Sequence, residues 1–557
     1  MDATPTMEAN GREEREAVRA EMAALVEALD SETASEDLAR AAARVAEACE
    51  AIQPVPARDV PDLARAALAL VESADGEEEC AAWLADVQRA AVALQHAALL
   101  PAPAASPSEP EVGEEGEVLV AELCERLWSS KLPGREGLAA RTLPWLLVRA
   151  ITSADPGVCR RAQRFASETL DLFDWQDASA QSLKRLLLRA CFCPPFLRTA
   201  EGRTMLARCL TLDAAFSHEV VAVMRNQLLA GRASVADHYG DVLFRAWRLL
   251  QPSDADGAAA VASAAAASCL LELEDTLLPS LVRDCLGART PQLSDLLRRV
   301  LRHALFSQRK RKGVEDLIVR TLQAQVFRAG QCANAEARRH AACLLCEAFP
   351  LLESPPATAA GPRAREALNQ RNATLLAKQT KLLASLLSDD VPQVRRAAAA
   401  GAGAVLAATR LPAVDAARLA GKVADLMHDA AQGAAPVREA ALRAMAAMLA
   451  SPLTCDVARE AARARGAGKA LADPSPRVRQ AAAALLVAMG RDAMAEAFAE
   501  AGEGGAAARV AACAALCGPG ATPPAWVLEA ATEGAPDAWA AALRRDVGLL
   551  AAAGTAQ

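Results

Sequence analysis

The sequence predicts an all-α chain built of stacked helical hairpins, and three observations predict it. Much of the 53% hydrophobic content is alanine, which has the best helix propensity and little side chain to bury. Aromatic residues, which strands favour, make up only 3%. A unit of about forty residues recurs in the last third. At 557 residues the chain is several times a typical domain of ~100–150 residues, so a single compact core is not expected.

The repeat carries most of this argument. "DDVPQVRRAAAAGAGAVLA", "GAAPVREAALRAMAAMLA" and "DPSPRVRQAAAALLVAM" share one plan: a Pro-containing turn, Val-Arg, then an alanine-rich apolar helix. The pairs Val394-Arg395, Val437-Arg438 and Val478-Arg479 are 43 and 41 residues apart, within the ~40–47-residue period of HEAT and armadillo units. One such hairpin cannot bury its apolar face, so neighbours stack into an α-solenoid. The turn Asp and the Arg after Val are expected to satisfy helix ends and to link repeats. "ANAEARRHAACLLCEAF" (333–349) looks like an earlier copy, followed by an insertion.

Along the chain, residues 1–100 read as an acidic N-terminal helical region; "REEREAVRAEMAALVEAL" (12–29) spaces Val18, Met22, Leu25 and Leu29 at helical intervals. Residues 101–117, rich in Pro, Glu and Ser, predict a disordered acidic linker. Residues 118–350 predict a helical solenoid, 351–370 an insertion or loop, and 371–557 HEAT repeats. Weaker breaks fall at 251–257 and 353–363. The opening 120 residues hold 26 acids against 8 bases, whereas the other 437 hold 43 against 53. A basic body therefore sits behind an acidic N-terminal region, an asymmetry that allows a polyanionic partner. Fifteen cysteines without paired spacing suggest reduced thiols inside a cell. No export signal or strongly apolar run of ~20 residues is evident, so no membrane association is expected.

No catalytic constellation emerges, so the expectation is a protein that is not an enzyme and takes no cofactor or metal. "RARGAGKALAD" (463–473) lacks the first Gly of a phosphate loop at Arg463 and the Ser or Thr at Ala470. "HEVVA" (218–222) puts Ala222 where a zinc-binding H-E-x-x-H motif needs its second His. Cys343 and Cys346 form a lone C-x-x-C beside His340, expected to be buried core thiols.

The strongest positive signals are two. Residues 281–345 hold 13 Lys+Arg against 5 Asp+Glu, with Arg309, Lys310, Arg311 and Lys312 consecutive at the centre. Four cations in one turn are expected to face solvent, either as a solvated turn, as a sequence-independent phosphate contact, or as a nuclear import signal. No aromatics interleave, so base stacking with single strands is not indicated. The second signal is "ADHYGDVLFRAWRLL" (236–250), holding the one tyrosine. Tyr239, Leu243, Trp247 and Leu250 share a helical face and predict a core stripe. Ser234 and Asp237 predict a capping-box start, and Gly240 a close helix crossing.

Several stretches also carry a family resemblance. "LWSSKLPGREGLAARTLPWLLVRAI" (127–151), "LDLFDWQDASAQSLKRLLLRA" (170–190), "LRTAEGRTML" (197–206), "YGDVLFRAW" (239–247), "QRKRKGVEDLI" (308–318) and "CEAFPL" (346–351), in that order, resemble the G-type HEAT subunit of condensin II. The resemblance runs from about 118 to about 490, dense to 350 and generic HEAT afterwards. Members of that family are usually much longer. The resemblance implies a scaffold that binds the condensin II kleisin and, through it, the SMC ATPase pair, alongside the D-type HEAT subunit. It implies duplex DNA or chromatin as a further partner, and mitotic chromosome condensation in the nucleus as the setting. The 386–490 repeats alone would also suit another nuclear HEAT adaptor, such as a transport receptor or phosphatase scaffold. Ser106-Pro107, in the acidic segment, is a candidate mitotic phosphorylation site.

Overall fold

The computed structural model describes residues 35–51, 55, 59–73, 81–99, 114–131, 133–153, 155–177, 180–251, 264–355, 361–500, 505–516, 523–533 and 537–554. Among them there is no strand, as expected, and no helix is long and apolar enough to cross a membrane. They divide into two compact units. The first takes residues up to Gln227 and Val242–Leu270; the second takes Leu228–Asp241 and residues from Leu271 on.

In chain order the helices begin with α1 (Ser35–Ala51), α2 (Val60–Ser73), α3 (Ala81–Ala98), α4 (Glu114–Ser129), α5 (Glu136–Ser153), α6 (Pro156–Thr169), α7 (Gln181–Ala190), α8 (Pro194–Arg198) and α9 (Ala200–Leu212). Within the first unit several helices pack on the one two places further on, α1 on α3, α2 on α4, α3 on α5 and α5 on α7, while α6 lies against α5 and α9. That i, i+2 stacking is what hairpins with one apolar face each must do. Its core runs through Val45, Leu70, Trp83, Leu94, Leu123 and Leu127. Gln95 is buried there, and its amide donates to the Leu138 carbonyl (2.8 Å) and Thr142 Oγ1 (2.6 Å). A buried amide so satisfied ties α3 to α5 without a desolvation penalty.

The expected linker ends earlier than 117. α4 starts at Glu114, because its acids belong to a helix N-terminus, where negative charge is stabilising. Glu115 pairs with Arg65, and Glu117 accepts from Trp145 Nε1 (3.3 Å). Residues 12–29 and 101–113 lie outside the described residues.

Next come α10 (Ala214–Leu228), α11 (Ala233–Leu250), α12 (Ala264–Glu272), α13 (Leu278–Leu286), α14 (Pro291–Ala304), α15 (Val314–Ala329), α16 (Ala335–Ala348) and α17 (Pro362–Leu387). The repeats follow as α18 (Pro392–Ala408), α19 (Ala413–Asp425), α20 (Ala435–Leu449), α21 (Cys455–Ala464), α22 (Pro476–Met489), α23 (Arg491–Glu500), α24 (Gly505–Leu516), α25 (Ala525–Thr532) and α26 (Asp537–Gly554). In the second unit α16, α18, α20, α22 and α24 stack as one layer, with α17, α19 and α21 beside it. Close stacking needs small side chains: a Cβ on Gly403 of α18 would lie 2.7 Å from Ala444 Cα of α20. The insertion expected over 351–370 is shorter than that. α17 begins at Pro362, which occupies the first helical turn where its missing N–H costs nothing.

A ladder of arginine–aspartate rungs joins the repeats. Arg338 of α16 donates to both carboxylate oxygens of Asp389 (2.6 and 3.0 Å), Arg395 of α18 to Asp429 (2.7 Å), and Arg438 of α20 to Asp473 (2.6 and 3.0 Å). Each arginine also donates to carbonyls of the turn just before its own helix, as Arg479 does to Asp473 and Pro474. Each aspartate in turn accepts from a backbone N–H two residues on: Val391, Ala431 or Ser475. One side chain therefore closes its own turn and grips the neighbouring repeat, the role expected for the Val-Arg arginines.

This ladder fixes an acid response. Burial would raise the Asp389 and Asp473 carboxyls, but the guanidiniums of Arg338 and Arg438 and the N–H of Val391 and Ser475 hold both below the usual carboxylate range. Groups with a depressed folded pKa stabilise the fold above the unfolded value, about 3.9 for Asp, and lose that contribution as pH falls through the lower folded value. Melting followed by circular dichroism is expected to show a midpoint that is flat from pH 7 to about 5 and falls below about pH 4. In Asp389→Asn/Asp473→Asn the fall should be shallower.

Candidate nucleic-acid interface

α11 carries the aromatic stretch. Tyr239, Leu243, Trp247 and Leu250 are 1%, 2%, 5% and 5% exposed, so the stripe is core. Phe244 and Trp247 stack with ring centroids 6.1 Å apart. The close crossing expected at Gly240 is present: a Cβ there would lie 2.5 Å from His303 Cβ and 2.6 Å from the Val300 carbonyl, both on α14. The capping box is not. The helix starts at Ala233, and Asp237 turns to α14, where it accepts from Arg299 (2.9 Å) and lies 3.2 Å from His303 Nε2. A bidentate guanidinium is a stronger partner for that carboxylate than the N–H of Ser234.

The expectation that four consecutive cations face solvent fails at the first. Arg309 is half-buried between the end of α14 and the start of α15, and its guanidinium donates to the carbonyls of Ala348, Phe349 (3.0 Å) and Pro350 (2.9 Å). Helix α16 ends there, leaving carbonyls without intrahelical donors, and Arg309 supplies the donors. Glu315 lies 3.3 Å from its Nε. Lys310, Arg311 and Lys312 are exposed. The cationic loop is thus three residues long and is mounted on a fourth.

The wider basic segment is less positive than its composition. Arg298 pairs with Asp295 and Glu347, Arg302 with Glu347 (3.0 Å), Arg299 with Asp237, Arg320 with Glu274 (2.9 Å), Arg338 with Asp389 and Arg339 with Glu336 (2.7 Å). Four of these acids lie outside 281–345. Arg283, Arg289 and Arg328 are exposed, as are the three residues of the loop.

Beside Arg309 runs an extended strap, Phe349 to Pro355, most of it within the insertion or loop expected over 351–370. Gln379 of α17 donates to the Leu351 carbonyl (2.8 Å) and accepts from its N–H (2.9 Å). Seven residues earlier, Asn372 does the same for Glu353, at 2.9 Å in both directions. Ser354 N–H donates to Asp316 in the first turn of α15 (3.0 Å). The strap thereby joins the cationic loop's helix to α17.

His340 is buried with both ring nitrogens engaged, near the Leu286 carbonyl (3.2 Å) and the Arg339 guanidinium (2.7 Å), and burial lowers its pKa. Cys343 and Cys346 are half-buried rather than fully buried, and burial raises both thiols. Among the described residues no cluster of three or more His, Cys, Asp or Glu has metal-binding geometry. Residues 463–473 form the end of α21 and a 3-10 turn, not a strand–loop–helix. Ser106 lies outside the described residues.

Residues 189–353 match a family model described as condensin II non structural maintenance of chromosomes subunit. The matched segment contains the Tyr239 stripe, the Arg309 anchor and the cationic loop.

The chain is similar to the G-type subunits of condensin II.

Condensin-2 complex subunit G2 of Mus musculus is 25% identical over 295 residues, covering 51% of this chain and 23% of the mouse protein. The Xenopus laevis subunit G2 is 26% identical over 239 residues, covering 42% and 19%, and the Homo sapiens subunit G2 24% over 296 residues, covering 51% and 23%. The match thus spans less than a quarter of these relatives. Among solved structures, an engineered protein aligns with 84% of this chain and 98% of its own at 16% identity and a TM-score of 0.30. Karyopherin Kap121p bound to the SUMO protease Ulp1p aligns with 92% and 56% at 12% and 0.29.

Proposed function

We propose that this chain is a non-catalytic HEAT-repeat scaffold of a condensin II complex. In this reading it binds the kleisin, through which it joins the SMC ATPase pair and the D-type subunit, and it contacts duplex DNA in mitotic chromosome condensation in the nucleus. The observation that carries the reading is the family match over 189–353, which falls on the segment holding the anchored cationic loop. Chemistry agrees with it: Lys310, Arg311 and Lys312 present charge without aromatic or hydrogen-bonding readers, which suits phosphate contact rather than base recognition.

Co-purification tests the partner. The full chain, mixed with the condensin II kleisin at low salt, is expected to elute as a complex in size-exclusion chromatography. Two separate peaks at micromolar concentrations would remove the scaffold reading.

A further inference from the structure

We propose that the exposed face of α17 and the loop Lys310, Arg311 and Lys312 form one cationic surface for the phosphate backbone of duplex nucleic acid, a refinement that rests on the DNA-binding reading above. α17 is 26 residues long. From Pro362 to Lys378 every residue but Leu368 is exposed or half-buried, so the first half of the helix stands largely in solvent. Arg363, Arg371, Lys378 and Lys381 are spaced 8, 7 and 3. At roughly 100° per residue they lie within about 80° of one another, in a row about 27 Å long. Leu368, Leu375, Gln379, Leu382 and Leu386 fall on the adjacent face, centred about 90° round the helix from the cations. Arg363, Lys378 and Lys381 are exposed and without a protein partner among the described residues, while Arg371 pairs with Glu353 at 2.9 Å.

The strap brings this row to the loop. Two links, one at each end, set α15 and α17 in the same direction. At their far ends, a Cβ on Gly330 would lie 3.0 Å from Leu382 Cδ1. At their near ends, Asp316 holds Ser354, and Glu353 is held by Asn372 and Arg371. The loop precedes Asp316 by about one helical turn, so it lies level with the exposed half of α17. The acids on and beside this surface include Glu315, Asp316, Glu353 and Glu366, and the first three already face protein donors.

The occupant follows from charge and shape. A row of cations about 27 Å long, with no aromatic residue and no apolar anchor, matches a continuous line of phosphates; a B-form duplex offers one charge per ~1.7 Å of axis. Single strands would call for stacking platforms, which this surface lacks.

The test uses the full chain and a fluorescein-labelled 30-base-pair duplex of random sequence, with anisotropy titrations between 50 and 200 mM salt. Arg363→Gln/Lys378→Gln/Lys381→Gln should bind more weakly and lower the slope of log K against log salt by about 2.7, since each phosphate neutralised by a cation contributes ~0.9. Affinity then falls about 40-fold less across that fourfold salt range. Lys310→Gln/Arg311→Gln/Lys312→Gln should lower the slope similarly, and Glu366→Gln should tighten binding. An unchanged slope in the α17 variant beside a lowered one in the loop variant would overturn the shared surface and leave the DNA reading standing. No duplex binding by the parent chain would overturn both. Equal competition by polyglutamate at matched charge would assign the surface to acidic protein and overturn the proposal as well.

Discussion

Asp473→Ala is expected to destabilise the second unit by about 3–5 kcal/mol, the cost typical of leaving one member of a buried ion pair alone. Arg438 and Asp473 are 15% and 8% exposed at their side chains and meet through two hydrogen bonds of 2.6 and 3.0 Å. Without the carboxylate, Arg438 keeps its bond to the Asp429 carbonyl, but the other end of its fork faces no acceptor. Ser475 loses its N–H acceptor at the entry to α22 at the same time. Replacing both charges, Arg438→Met with Asp473→Leu, should recover much of the loss, because paired apolar groups of similar volume do not carry the desolvation cost. Urea unfolding of the four corners of this double-mutant cycle gives the coupling directly. Additive losses would show that each residue acts only on its own turn and that the ladder does not join repeats.

The ladder also shows what was legible in the sequence. Val-Arg at a forty-residue period marks Arg395, Arg438 and Arg479, and Asp389 and Asp473 stand in the same turns. Asp429, however, lies four residues ahead of its motif and Arg338 has no Val before it, so the pairing of Arg338, Arg395 and Arg438 with the next turn had to come from structure. The cationic run was less legible. Arg309 looks like its three neighbours in sequence, yet its acceptors lie some forty residues away, where α16 runs out of intrahelical donors. The same blindness inflated the basic segment. Arg299, Arg302, Arg320 and Arg338 pair with Asp237, Glu347, Glu274 and Asp389, all outside 281–345. Asp237 misled for the same reason: local spacing nominated Ser234 as its partner, and a tertiary guanidinium took it. The helical spacing of Arg363, Arg371, Lys378 and Lys381 was present in the sequence, but it gained meaning only once the strap set it beside the loop.

Tyr239→Ala is expected to cost about 3–5 kcal/mol, the range of large aromatic truncations in cores. The side chain is 1% exposed and is the largest fully buried one among the described residues. The next residue, Gly240, already lies against α14 at a spacing that leaves no room for a Cβ. A helix pressed that closely on its neighbour has little freedom to move inward and fill the space a tyrosine leaves, which places the cost at the upper part of the range. Leu249→Ala, on the same helix but 48% exposed, should change stability by less than about 0.5 kcal/mol. Urea unfolding measures both, and duplex or kleisin affinity, corrected for the folded fraction, separates core from site. If Tyr239→Ala leaves stability unchanged but weakens either partner, the aromatic stripe is a binding surface after all. A stability loss with unchanged affinity of the folded fraction leaves recognition to the cations of α17 and its loop, with Tyr239 as core packing.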